Sequence, residues 1–278
     1  MRSPTLRKLI TVASVAAIAA VATATTSVGA TSPGSTSSAA TPGQAYMGWS
    51  HHSTPPSSTA RPTAGASTSL TTTQTQGMDV SHWQGNVAWQ TWYSSGMRFA
   101  YVKATESTSY TNPYFAQQYN GSYNVGMIRG SYHFAVPSSS AGSTQADYFI
   151  AHGGGWSADG KTLPGALDIE YNPYGATCYG LSQASMVNWI KSFTDRYKAV
   201  TSRDPVIYST TDWWTTCTGN STAFHTINPL WLARYASAVG TLPGGWPYQT
   251  IWQYTSDGNM DKNWFNGALS GVQALARG

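Results

Sequence analysis

The sequence predicts an α/β fold in which parallel strands gather around one mouth, and three observations carry that expectation. Short apolar runs alternate with longer amphipathic segments, the pattern of strands and helices taking turns around a parallel sheet. Several of the runs end in polar clusters: Asp79, Ser81 and His82, then Thr105 and Glu106, then Asp168 and Glu170. A barrel of parallel strands collects reactive side chains at the C-terminal strand ends, whereas polar groups inside strands would lack partners. After Pro205 the gaps between runs read as loops, so the last strands are expected without helices.

In chain order, the strands are expected at Gly77 to Val80, Arg98 to Ala104, Met127 to Phe134, Pro164 to Glu170, Pro205 to Ser209, Pro229 to Arg234 and Tyr248 to Tyr254. The clearest helix runs from Ser182 to Val200. Met186, Ile190, Phe193 and Tyr197 recur there at helical spacing and Ser182 supplies an N-cap. A second helix places Phe115, Tyr119 and Tyr123 four residues apart on one face.

Ahead of this region, Arg2, Arg7 and Lys8 precede an apolar stretch from Leu9 to Ala22, and Val28-Gly29-Ala30 has the form of a cleavage site. That is the pattern of a secretory signal peptide over 1–30, too short in its apolar part to span a bilayer. Residues 31–76 are dominated by Ser, Thr, Ala, Pro and Gly and are expected to be a disordered linker or pro-segment. One folded domain is expected over 77–278, in a secreted, extracellular protein.

Fifteen Lys and Arg residues face eleven acids in the whole chain, but three cations lie in the signal and Arg61 in the linker. The domain is left with eleven of each sign, so charge supports neither nucleic-acid nor membrane binding. Cys178 and Cys217 are the only cysteines, and export to an oxidising compartment is expected to join them, at about 3 to 4 kcal/mol of stabilisation through loop closure. Two cysteines alone make no metal site, and the histidines show no ligand spacing beyond the linker pair His51-His52, so no metal and no cofactor is expected.

The most informative segment is Ala166-Leu167-Asp168-Ile169-Glu170. Alternation along a strand sends both carboxylates to one face, with Cα atoms about 6.5 Å apart. Two acids that close in a dry site cannot both ionise freely, so one becomes a proton donor near neutral pH. That suits glycoside hydrolysis. The plainer reading is a strand end whose acids cap a loop or pair with Arg234.

From Gly77 to Gly278 the chain resembles the Chalaropsis-type lysozymes, glycoside hydrolase family 25. The resemblance is carried by Gly77-Met78-Asp79-Val80-Ser81, Tyr101-Val102-Lys103-Ala104-Thr105-Glu106, Gly130-Ser131-Tyr132-His133-Phe134, Ala166-Leu167-Asp168-Ile169-Glu170 and Ile251-Trp252-Gln253-Tyr254, in that order. It implies a modified TIM-like barrel of about eight strands and five helices, its last strands without helices. It also implies cleavage of the β-1,4 bond between N-acetylmuramic acid and N-acetylglucosamine in bacterial peptidoglycan. By position it implies Glu170 as general acid and base, Asp168 as either the nucleophile or the group that orients the substrate N-acetyl, Asp79 as a third acid and Asp261 as a late aspartate of the site.

Lys103 and Glu106 read either as an ion pair across the mouth or as contacts to substrate. His133 alternates away from Tyr132 and Phe134 and reads as a hydrogen-bonded core histidine. Flat rings cover the apolar faces of sugars, which makes Tyr132, Tyr208, Trp231, Trp252 and Tyr254 the candidate binding aromatics, by their places near strand ends. Trp213 and Trp214 are either a wall of the site or packing. The rival readings are a non-catalytic carbohydrate-binding barrel, which would not need both acids, and a related chitin-active hydrolase. A wall amidase or peptidase would need a zinc site or a Ser or Cys nucleophile with its histidine. The chain is expected to act as a monomer on glycan strands.

Overall fold

The computed structural model describes residues 41–49, 73–257 and 260–278. The expected signal peptide and most of the expected linker lie outside the described residues. Residues 41–49, within the stretch expected to be linker or pro-segment, pack against the strand ends; Tyr46, Met47 and Trp49 are large apolar side chains in otherwise small-residue surroundings.

Among the described residues nine strands form one sheet: β1 (Thr75–Val80), β2 (Phe99–Glu106), β3 (Tyr110–Thr111), β4 (Ile128–Phe134), β5 (Ala166–Asp168), β6 (Val206–Ser209), β7 (Leu230–Ala233), β8 (Ile251–Asp257) and β9 (Met260–Phe265). Their order is β1-β9-β8-β7-β6-β5-β4-β2-β3, and β1 also pairs with β2. That pairing closes eight strands into a barrel and leaves β3 outside. The strands run parallel from β1 through β2, β4, β5, β6 and β7 to β8. β9 turns back as a hairpin partner of β8 and is antiparallel to β1 as well.

Six α-helices occur among the described residues: α1 (Trp89–Ser94), α2 (Phe115–Asn124), α3 (Gly142–Phe149), α4 (Gln183–Thr201), α5 (Thr211–Thr218) and α6 (Leu269–Arg277). Helix α4 forms for the reasons its spacing suggests. Ser182 Oγ accepts from the Ser185 amide at 3.2 Å, and Met186, Ile190, Phe193 and Tyr197 are all buried. In α2, Phe115 and Tyr119 stack at 5.0 Å.

Alternation sorts the core into layers. Phe99, Tyr101, Tyr132, Ala166, Tyr208, Trp231, Ile251 and Phe265 fill the barrel interior, with the Trp231 ring 4.7 Å from Tyr101 and 5.3 Å from Tyr208. Leu167, Ile169 and Ile207 point out and are covered by Phe149, Ile190, Phe193, Trp213 and Trp214. A third cluster joins Val80, Ala100 and Val102 to Trp89 beneath α1 and α2.

Three elements differ from the sequence reading after Pro205, one of them helix α6, which follows the last strand where no helix was expected. Residues Thr211–Thr218 form helix α5 where a loop was expected. Thr and Trp are indifferent helix formers, and the helix is held by the Thr210 cap on the Trp213 amide at 3.0 Å and by burial of Trp213 and Trp214. Trp214 meets Phe224 and Trp246 edge-on, and Trp213 is buried in the same outer cluster with its Nε1 donating to the Thr177 carbonyl at 3.1 Å, so both have a packing role. Another is β9, a strand the sequence reading did not include, which holds Asp261. Its inward positions, Asp261, Asn263 and Phe265, are mostly polar, so no apolar alternation marks it.

Cys178 and Cys217 form a disulfide across a sequence separation of 39. The double substitution Cys178→Ser/Cys217→Ser should lower unfolding free energy by about 4 kcal/mol from loop-closure entropy, read as a drop in urea midpoint with a steeper slope, because the uncrosslinked denatured chain exposes more surface. At the α3–α4 crossing, a Cβ on Gly142 would lie 2.3 Å from the Trp189 carbonyl oxygen and 2.8 Å from the Phe193 nitrogen. Gly142→Ala should therefore cost about 1–3 kcal/mol. Gly155→Ala, where a Cβ meets nothing within 4 Å, should change the same midpoint little.

Candidate active site

The C-terminal ends of the parallel strands and the start of antiparallel β9 share one mouth, and four carboxylates meet there. Asp79, next to last in β1, sits opposite Asp261 of β9 in register. Asp168 is the last residue of β5 and Glu170 follows two residues on. Because Leu167 and Ile169 face the outer core, alternation turns Asp168 and Glu170 inward together. All four acids are buried, with Asp261 the most exposed at 4%.

Asp79 is held by two amides. Its Oδ2 accepts from Gln253 Nε2 at 3.0 Å and from Asn263 Nδ2 at 2.7 Å. Each amide has its oxygen committed elsewhere: Gln253 Oε1 accepts from the Tyr208 hydroxyl at 2.7 Å and Asn263 Oδ1 from Trp231 Nε1 at 2.8 Å. With the oxygens so engaged, both NH2 ends point at Asp79. Burial, and then the neighbouring Asp261, still push the Asp79 carboxyl well above the usual range, against the pull of the two amide donors.

Among the described residues, neither carboxyl oxygen of Asp168 has a hydrogen-bond partner. Burial first and then the Glu170 charge push its pKa well up, with Lys103 opposing. Glu170 Oε1 accepts from the Gly48 amide at 2.8 Å, and the Tyr235 hydroxyl donates to Asp261 Oδ1 at 3.2 Å. Lys103 and Glu106 form a buried ion pair at 2.6 Å. Burial pulls the Lys103 pKa down although Glu106 supports its charge. The Tyr174 hydroxyl also donates to Glu106.

The candidate aromatics divide by face. Tyr132 lines the interior, and its hydroxyl accepts from the Met47 amide at 3.5 Å. Tyr208 and Trp231 also point in, but their polar tips hold Gln253 and Asn263, and Trp231 is packed as the floor of the site. Trp252 and Tyr254 point away from the carboxylates, a correction to their expected place. Ile251 and Gln253 take the inward positions of β8, so alternation sends the two rings outside. There Trp252 Nε1 donates to the Arg234 carbonyl at 2.8 Å and Tyr254 stacks on Trp264 at 5.5 Å. His133 is the expected core histidine: it bonds Thr105 Oγ1 at 2.8 Å and Gln145 Oε1 at 2.9 Å, and burial pulls its pKa to about 4.

Gln253, Asn263, Tyr235 and Tyr174 belong to the site and were missed from sequence. Gln253 was the most accessible of them, since counting by twos from inward Ile251 reaches it directly. Among the described residues no group of three or more His, Cys, Asp or Glu side chains is arranged to hold a metal ion. The arrangement offers instead a proton donor and a helper carboxyl side by side in a water-poor pocket, the requirement for opening a glycosidic bond.

Comparison with known proteins agrees with this chemistry. Residues 78–263 match glycosyl hydrolases family 25. The chain is 56% identical over 211 residues to an N,O-diacetylmuramidase from Chalaropsis sp, covering 73% of this chain and 99% of the relative. It is 50% identical over 212 residues to lysozyme M1 of Streptomyces globisporus, covering 74% and 72% respectively. Among solved structures, a muramidase from Acremonium alcalophilum superposes with a TM-score of 0.72 at 57% identity, covering 73% of this chain and 99% of that one. The bacterial lysozyme from Streptomyces coelicolor also gives 0.72, at 50% identity and coverage of 73% and 97%. The chain belongs to glycosyl hydrolase family 25 and is a glycoside hydrolase.

Proposed function

We propose that the protein is an exported muramidase that hydrolyses the β-1,4 bond between N-acetylmuramic acid and N-acetylglucosamine in bacterial peptidoglycan. The observation that carries this reading is the inward pairing of Asp168 and Glu170 in the mouth they share with Asp79 and Asp261. Family membership supports the substrate class, and the N-terminal export pattern suits a substrate outside the cytoplasm.

In this mechanism Glu170 protonates the glycosidic oxygen as the bond to the muramic acid C1 breaks, then takes a proton from the water that completes hydrolysis. Asp168 is the helper. Its two oxygens have no donor among the described residues, so a substrate N–H suits them, and the N-acetyl amide of the muramic acid supplies one. Holding that amide directs its carbonyl oxygen at C1. A second reading, direct attack by Asp168, requires a glycosyl-enzyme ester at this residue, which intact-mass analysis of acid-quenched turnover would detect. Asp79, clamped by Gln253 and Asn263, keeps the pocket's shape.

Glu170→Gln should lower kcat on purified peptidoglycan by about 10³-fold or more while glycan binding persists. Wild-type digestion, followed by reduction and mass analysis, should show muramic acid at the new reducing ends; N-acetylglucosamine at those ends, or unchanged turnover in the variant, refutes the assignment. Asp168→Asn should lose most activity and yet unfold at higher temperature, by about 2–4 °C for each kcal/mol gained. Because the folded Asp168 pKa is raised, the wild type keeps this stability below the ordinary carboxylate range and loses it as pH climbs through the raised value. The thermal gap between variant and wild type should therefore widen toward alkaline pH.

A further inference from the structure

Residues 41–49 lie across the mouth and engage the proposed catalytic machinery atom by atom. The Gly43 amide donates to Glu106 Oε1 at 2.9 Å, Lys103 Nζ donates to the Ala45 carbonyl, and Trp83 Nε1 donates to the Gln44 carbonyl at 3.0 Å. The Tyr46 ring meets Trp83 edge-on at 6.4 Å. Met47 is fully buried in the interior cluster with Tyr132, Tyr208 and Trp231. The Gly48 amide occupies Glu170 Oε1 at 2.8 Å, and Trp49 Nε1 donates to the Tyr171 carbonyl at 3.1 Å.

Two glycines make the fit possible. Gly43 and Gly48 have φ of +96° and +77°, a region disfavoured for other residues. A Cβ on Gly43 would lie 2.3 Å from the Tyr110 ring, and one on Gly48 would lie 2.6 Å from the Tyr235 hydroxyl and 2.8 Å from Gln253 Oε1. The backbone thus approaches the site as closely as a ligand does. A general acid must come within hydrogen-bond reach of the oxygen it protonates. A peptide N–H on Glu170 Oε1 and a methionine side chain over Tyr132 fill the space that a sugar linkage would need.

We propose that Gly43–Gly48 is an intramolecular inhibitor of the hydrolase, a plug that competes with glycan for the mouth and leaves the chain latent while it stays tethered through residues 50–72. The proposal rests on the muramidase reading of the same site. The tether keeps the plug at high local concentration, on the order of millimolar. Hydrolysis of one peptide bond in 50–72 by a separate endoprotease, with water as co-reactant, would turn it into a dilutable peptide and release activity.

The test uses the full chain in three forms: wild type, Gly43→Val/Gly48→Val, and a chain carrying a sequence-specific protease site within 57–63 that is cut after folding. Hydrolysis of soluble peptidoglycan at nanomolar enzyme should show kcat/KM raised about tenfold or more in the double variant and in the cut chain. A synthetic peptide of residues 41–49 should restore inhibition of the cut chain as an increase in KM at constant kcat. Calorimetric binding of a soluble peptidoglycan fragment reads the plug without turnover, with tighter binding expected in both altered chains. Equal kcat/KM and equal fragment affinity in all three forms overturn the proposal. If none of the forms hydrolyses peptidoglycan but the altered chains bind the fragment more tightly, the plug stands and the muramidase reading falls.

Discussion

The constraint on which the rest depends is the electrostatic cost of holding Asp79, Asp168, Glu170 and Asp261 in one dry mouth. Burial of each charge is unfavourable, and each carboxylate raises the cost of its neighbours. The barrel meets this unevenly. Asp79 receives two amide donors, Glu106 receives Lys103, and Asp168 receives no donor among the described residues. The least compensated group is the one assigned to handle substrate, as expected where function is maintained against stability.

The hairpin of β8 and β9 makes this possible. Reversing direction after β8 brings Asn263 and Asp261 to face β1, closes the barrel without a crossover helix, and supplies one of the two clamps on Asp79. Tyr208 and Trp231 act one layer back. By occupying the amide oxygens of Gln253 and Asn263 they set which end of each amide meets the acid. The rigidity of the site thus comes from aromatic side chains packed inside the barrel, which also form its core.

The plug and the carboxylates are linked by the same electrostatics. Lys103, Glu106 and Glu170 each engage a backbone group of residues 43–48, so the segment supplies hydrogen bonds that these buried groups would otherwise seek from water or sugar. Stabilising a dry mouth and blocking it are one physical act in this arrangement.

The local sequence determined what depends on local periodicity. Leu167 and Ile169 alternate against Asp168 and Glu170, so the shared face of the acids was legible, as was α4 from the spacing of Met186, Ile190, Phe193 and Tyr197. Motif resemblance brought Asp79 and Asp261 to the same site. Tertiary structure decided the rest. Strand β9 was hidden because its inward residues serve a polar mouth and invert the usual apolar pattern, and Trp252 and Tyr254 were misplaced because aromatic character outweighed the count by twos along β8. The Gln253 and Asn263 clamps reach Asp79 across 174 and 184 residues, and residues 41–49 meet Glu170 across more than 120. Such pairings arise from barrel closure, which no window of local sequence contains.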